Sequence, residues 1–190
     1  MRVMRALLGL LFFLAQPFWD AKPPENWTDY EVDSILHASP WAQTVGPSPE
    51  ILVYLATAAP VEEAQKELRL RGKRPAPQPD PDFTSYEREH RDQQLVLAIP
   101  YAPGVPFGTQ EDRRRMENEC EMVIGKRTYK IVGHFPPVPE DPVLRLVFSR
   151  ELKPADKLVT FRLFLPGMPF PERELQFWVK DLMYRGKPEM

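Results

Sequence analysis

The sequence predicts an α+β domain: a mostly antiparallel sheet of about six to eight strands with two or three short helices. A β-sandwich with helical additions is the alternative. Three observations lead there. Near the C-terminus two alternating apolar runs, Val159, Phe161, Leu163, Leu165 and then Leu175, Phe177, Val179, flank a Pro/Gly-rich loop at residues 166–171, the period-two signature of an antiparallel strand pair. The helical patterns come early and the strand patterns then follow one another, an order that segregates helices from an antiparallel sheet instead of building βαβ units. Finally, 190 residues with 43% apolar side chains suffice for one core and fall short of two.

At the N-terminus Arg2 and Arg5 precede ten apolar or small residues, 6–15, and then Gln16-Pro17. A basic start and a short apolar run describe a secretory signal peptide, because spanning a bilayer takes about 20 residues. Ala15 and Ala21 each have a large residue, Phe13 or Trp19, two positions upstream, which suits cleavage poorly. Residues 1–21 are therefore read as a signal peptide or a retained N-terminal anchor, and residues 22–190 as a single domain. The apolar run is not followed by a cysteine, which excludes a lipid anchor there.

Thr28 with Glu31 forms a capping-box pattern opening a short helix with an apolar stripe of Tyr30, Val32, Ile35 and Leu36. Pro40 ends it, and Trp41 is placed to pack on its end. Residues 50–57 are β-branched and aliphatic, a buried strand. Pro60 then suits the first turn of a helix with Glu62 and Glu63 at its start, Val61, Ala64 and Leu68 on one face, and Gly72 as its stop. Residues 73–82 read as an extended Pro-rich connector. Residues 94–100 read as a central strand, 102–108 as a loop, and Thr109 with Asp112 as the start of a helix through Met116. Residues 119–124 and 128–132 alternate about Gly125-Lys126, a glycine-first connection suited to a type II′ hairpin. After a rigid loop at 136–142, Leu144, Leu146 and Phe148 mark a strand face opposite Arg145.

The formal charge of −2 provides no basic field for nucleic acid. The one basic run, Arg113-Arg114-Arg115, is offset by Glu111, Asp112, Glu117 and Glu119. Without a glycine loop followed by Lys-Ser/Thr, nucleotide chemistry is not expected either. His37, His90 and His134 lack the i+2 to i+4 spacing of a metal site, and no serine sits in a glycine-flanked elbow. The lone Cys120 alternates with Met122 and Ile124 and reads as a buried, inert thiol. Glu117, Glu119 and Glu121 read as an exposed strand ladder opposite Lys126 or Arg127. Glu172, Glu174 and Asp181 make a two-carboxylate site conceivable, but such a site is defined by separation in space. Accordingly no catalytic residue, metal site or cofactor is assigned. Phe164, Gln176 and Trp178 fall on the strand face opposite the core, so Trp178 and Phe164 would form a binding patch if no helix covers that face.

The ending Val179-Lys180-Asp181-Leu182-Met183-Tyr184-Arg185-Gly186-Lys187, with Phe170-Pro171-Glu172-Arg173-Glu174 before it, resembles the C-terminus of a family of uncharacterised bacterial exported proteins. Residues 27–41, closing on Ser39-Pro40-Trp41, and the helix start Ala58-Ala59-Pro60-Val61 are similar to that family too. The resemblance implies export and carries no known activity or site residues. The function expected is that of an exported, non-enzymatic binding or structural protein of the cell envelope, periplasmic or extracellular. Its partner would be an envelope protein or an extended ligand, and a membrane only if the N-terminal segment is retained. A small secreted hydrolase with a carboxylate/His site and a membrane-tethered envelope factor are the alternatives.

Overall fold

The structure, a computed structural model, describes residues 16–72 and 80–190. In chain order the elements are α1 (Phe18–Ala21), α2 (Asp29–His37), β1 (Ala42–Val45), β2 (Ile51–Leu55), α3 (Ala59–Arg71), α4 (Pro81–His90), β3 (Gln94–Pro100), α5 (Gln110–Glu119), β4 (Glu121–Ile124), β5 (Arg127–Lys130), β6 (Gly133–Phe135), β7 (Val143–Ser149), β8 (Leu158–Phe164), β9 (Glu172–Trp178), β10 (Met183–Tyr184) and β11 (Lys187–Pro188). The fold is α+β in antiparallel sheets. Its eleven strands among the described residues exceed the six to eight expected, and they fall into a five-stranded sheet β1-β2-β3-β7-β6, a four-stranded sheet β5-β4-β8-β9 and the small β10-β11 ribbon.

Alternation along the strands stacks the two larger sheets. Leu95, Leu97 and Ile99 of β3 pair with Phe148, Leu146 and Leu144 of β7 on one face, all buried. From the other sheet, Met122, Ile124, Val159, Phe161, Leu175 and Phe177 are buried against them, and the Phe148 and Phe161 rings meet edge to face at 5.3 Å. Each such side chain contributes about 1.5–3 kcal/mol on leaving water. The opposite face of the five-stranded sheet carries Tyr54, Ala98 and Arg145 and is covered by α3 and α4. β7 is therefore buried on both faces from Val143 to Phe148.

Both capping boxes form, Thr28 with Glu31 and Thr109 with Asp112. Gly72 ends α3 in the left-handed region at φ 59°. Gly125, at φ 61°, turns β4 into β5 as the hairpin reading requires. Two expectations are corrected. α5 runs on to Glu119, so Glu117 and Glu119 are helical and only Glu121 joins the strand, where it meets Lys130 at 3.1 Å and Arg162 at 3.0 Å. The connector expected at 73–82 ends earlier: residues 73–79 lie outside the described residues, and α4 begins at Pro81 with the Asp80 carboxylate accepting from the Asp82 N–H at 2.9 Å. β1 and β6, in stretches to which the sequence reading assigned no element, extend the five-stranded sheet.

The apolar run at residues 6–15, read as a signal peptide, lies outside the described residues. The boundary read at residue 21 falls inside a packed segment. Trp19 meets Trp41 at 5.4 Å, Phe18 meets Trp27 at 5.9 Å, and Trp41 meets Tyr184 at 6.3 Å, all edge to face. Asp20 accepts from the Arg185 backbone N–H at 2.6 Å. No described helix is long and apolar enough to cross a membrane.

Candidate functional site: a polar groove over the five-stranded sheet

Tyr54 and Ala56, on and just after β2, and Arg145 of β7 form the floor of a groove whose walls are α3 and α4. Helical spacing puts Glu62, Gln65 and Arg69 of α3 on one face, beside the buried Val61 and Ala64. From α4 come Phe83, Thr84, Glu87 and Arg88, with Arg91 just beyond its end. The groove holds two adjoining cavities of about 320 and 210 Å³, which share Tyr54, Gln65, Arg69 and Arg145.

Charge is concentrated at its floor. Arg145 Nη1 donates to Asp141 Oδ2 at 2.7 Å, and the Arg145 guanidinium lies 4.2 Å from the Phe83 ring centre. Asp141 Oδ2 also accepts from the Asp80 N–H at 2.9 Å. Its other oxygen, Oδ1, is covered and accepts from no protein group. On the wall, both carboxylate oxygens of Glu62 accept from Arg91, Oε1 at 2.8 Å. Burial nevertheless raises the Glu62 carboxyl above the ordinary carboxylate range against the pull of Arg91. Glu87 is raised as well, first by burial and then by the Glu62 charge. Arg69 and Arg88 are exposed, and neither closes an ion pair among the described residues.

Such a groove can hold a small polar molecule through fixed guanidinium, carboxylate, amide and hydroxyl groups. Glu62 is clamped by Arg91, and no histidine lines the cavity that holds the two carboxylates. His37 lines the smaller cavity, with Nδ1 donating to the Asp33 carbonyl at 3.0 Å.

A third cavity of about 360 Å³ opens between the two sheets, lined by Leu95, Met122, Ile124, Val159 and Val179 with Arg150 and Lys153 at its rim. Burial pushes Arg150 down, and its Nε donates to the Gln94 carbonyl at 3.3 Å. This is the incompletely filled end of the core, mainly apolar, with Arg150, Glu151 and Lys153 also lining it.

The patch expected from Trp178 and Phe164 does not form. Phe164 does lie on the outer face, but α5 covers that end of the sheet: Arg115 sits 4.0 Å over its ring and Phe164 is 2% exposed. Trp178 is 49% exposed and pairs with Leu158, six residues from Phe164 along β8, roughly 20 Å at about 3.3 Å per residue. Of the carboxylates near these strands, Glu174 pairs with Arg162 at 3.1 Å and Glu172 reaches Arg115 at 3.6 Å, both exposed. His90 stacks on Tyr86 at 4.4 Å, and His134 faces Glu117 at 4.0 Å. Among the described residues no three His, Cys, Asp or Glu side chains gather as a metal site. Cys120 is buried, and burial raises its thiol to about 11, which suppresses the reactive thiolate.

No groove residue was assigned to a site from the sequence: Leu36, Glu62, Leu68 and Arg145 were read as structural positions, and His37 was set aside as a metal ligand. The one signal present was Asp80-Pro81, an N-cap followed by proline at the first helical position. It marks the helix that turns the Arg145 face into a floor. No protein-family model, curated protein or solved structure matches the chain.

Proposed function

We propose that the chain is an exported, non-enzymatic binding protein of the cell envelope, and that its ligand seat is the groove between α3, α4 and the five-stranded sheet. The observation that carries this reading is the Arg145–Asp141 pair on the groove floor, a buried charge pair with one carboxylate oxygen left without a protein partner. Buried ion pairs add little stability over an apolar replacement, so stability alone does not account for this one, and its place on the groove floor suits recognition. Export is supported by the basic start and the ten apolar or small residues after it, and by the resemblance of residues 27–41 and 170–187 to bacterial exported proteins. The packing of Phe18 and Trp19 favours a mature chain that keeps both residues. The same contacts would also tie down a chain whose N-terminal segment stays in the membrane.

A second reading, a small hydrolase, draws on Glu62 and Glu87, two carboxylates raised by burial in one cavity. Cell fractionation, sequencing of the mature N-terminus and native mass spectrometry of the purified protein test these readings together. The expected result is a chain in the envelope fraction that begins before Phe18 and releases a non-covalently held small molecule unchanged. A full-length cytosolic chain would overturn export. Turnover of a glycan or ester panel that disappears in Glu87→Gln would replace binding with hydrolysis.

A further inference from the structure

The cavity of about 360 Å³ between the two larger sheets is walled by the inner faces of three strands. Leu95 of β3, Met122 and Ile124 of β4 and Val159 of β8 line it, none more than 2% exposed, and Met190 joins them from the C-terminal end. The charged side chains that line it, Arg150, Glu151 and Lys153, all come from the segment that follows β7. The cavity is therefore apolar over most of its wall and charged on one side, with two cations against one exposed carboxylate.

Arg150 is the half-buried cation of the three. Its Nε donates to the Gln94 carbonyl at 3.3 Å, its Nη groups donate to no described residue, and it closes no ion pair among the described residues. Burial pushes the guanidinium down, and the Glu189 charge pulls on it from beyond ion-pair distance. A guanidinium left with open donors beside an apolar chamber offers a carboxylate a forked, charge-assisted contact.

The chamber itself calls for hydrocarbon. Dry, its lining lacks partner atoms on one side; wet, it holds water against apolar surface. An alkyl chain removes both costs. The volume lies in the range of ligand pockets, and at about 30 Å³ per water-sized group it holds a chain of roughly ten carbons.

We propose that this cavity takes a free medium-chain fatty acid, its alkyl chain against Leu95, Met122, Ile124 and Val159 and its carboxylate on the Arg150 guanidinium. The site lies apart from the polar groove and does not depend on a ligand there.

Calorimetric titration of the full chain with butyrate, octanoate, decanoate and octanol tests this. Decanoate is expected to bind saturably, and affinity to rise about 4-fold per methylene along the series, so that butyrate gives no measurable heat. Octanol, which lacks the carboxylate, is expected to bind at least about 10-fold more weakly than octanoate. Arg150→Gln should weaken octanoate by a similar factor and leave octanol unchanged. Val179→Trp, at a half-buried position of the cavity wall, should abolish binding of all four. If circular dichroism shows either variant unfolded, the chain-length series and the octanoate–octanol comparison on the wild type decide. Backbone amide shifts with decanoate are expected in β3, β4, β8 and residues 150–154. Absence of decanoate binding at about 1 mM, octanol held as tightly as octanoate, or octanoate held equally by wild type and a folded Arg150→Gln overturns the inference. Decanoate shifts confined to α3 and α4 also overturn it, while leaving the groove as a ligand seat.

Discussion

Asp141 and Arg145 meet at 2.7 Å with their side chains 1% and 7% exposed, four residues apart across the start of β7. The turn before the strand brings the carboxylate onto the guanidinium, and the Phe83 ring of α4 lies 4.2 Å from that guanidinium. One covered helix–sheet interface thus contains a full charge of each sign.

Removing one partner strands the other charge. Arg145→Met is expected to cost about 3–5 kcal/mol in urea unfolding, while the Asp141→Asn/Arg145→Met double variant should lose markedly less, because no charge is left buried alone. Equal losses in the two variants would show that the guanidinium acts by packing and not by charge.

The N-terminal aromatics supply a second prediction. Phe18 and Trp19 join a chain of edge-to-face rings that runs through Trp41 to Tyr184. Trp19→Ala is expected to destabilise by on the order of 2–3 kcal/mol, given its partial burial. A chain beginning at Lys22 should melt well below one beginning at Gln16. Matching melting temperatures would put the domain boundary back at residue 21.

Gly167 supplies a third. Its φ is +74°, and a Cβ there would lie 2.0 Å from the Pro106 carbonyl oxygen, so the loop before β9 sits directly on the loop after β3. Gly167→Ala forces both a left-handed alanine and a backbone clash, with an expected loss of about 2–4 kcal/mol. Gly104→Ala shares the positive φ, +81°, and has nothing within 4 Å, so it should cost clearly less.

The groove carboxylates give a pH dependence. Burial, then the Glu62 charge, raises Glu87 above its ordinary 4.5 in the folded protein. The folded state therefore holds a proton that the unfolded chain has released, and stability falls as pH rises from about 4.5 through the folded-state pKa. Glu87→Gln abolishes this loss. In thermal melts the variant's advantage over wild type should grow with pH across that window and then level off. A difference independent of pH would contradict the assignment.

What could be read from the sequence was local. The two capping boxes, Gly72 as a helix stop, the hairpin at Gly125 and the bounds of β3 are each written within a few residues, and each forms as read. Arg145 could not be read this way. In an alternating strand an arginine opposite the apolar face looks solvated, and only the presence of α4 makes that face interior. α4 in turn was hidden because its Asp80-Pro81 start follows a run of prolines. The groove combines side chains from residue 36 to residue 145, so no window of sequence contains it. Phe164 shows the reverse error: its face was read correctly, and α5 covers it.

The central claim is that the groove binds a small polar molecule and does not transform it. The most direct test is backbone amide NMR of the full chain titrated with a panel of amino acids and acidic sugars, followed by chromatographic recovery of each compound. The account predicts saturable shifts confined to β2, α3, α4 and the start of β7, with the bound compound recovered intact. Shifts confined to residues around the cavity between the sheets, or a compound recovered as product, would contradict it.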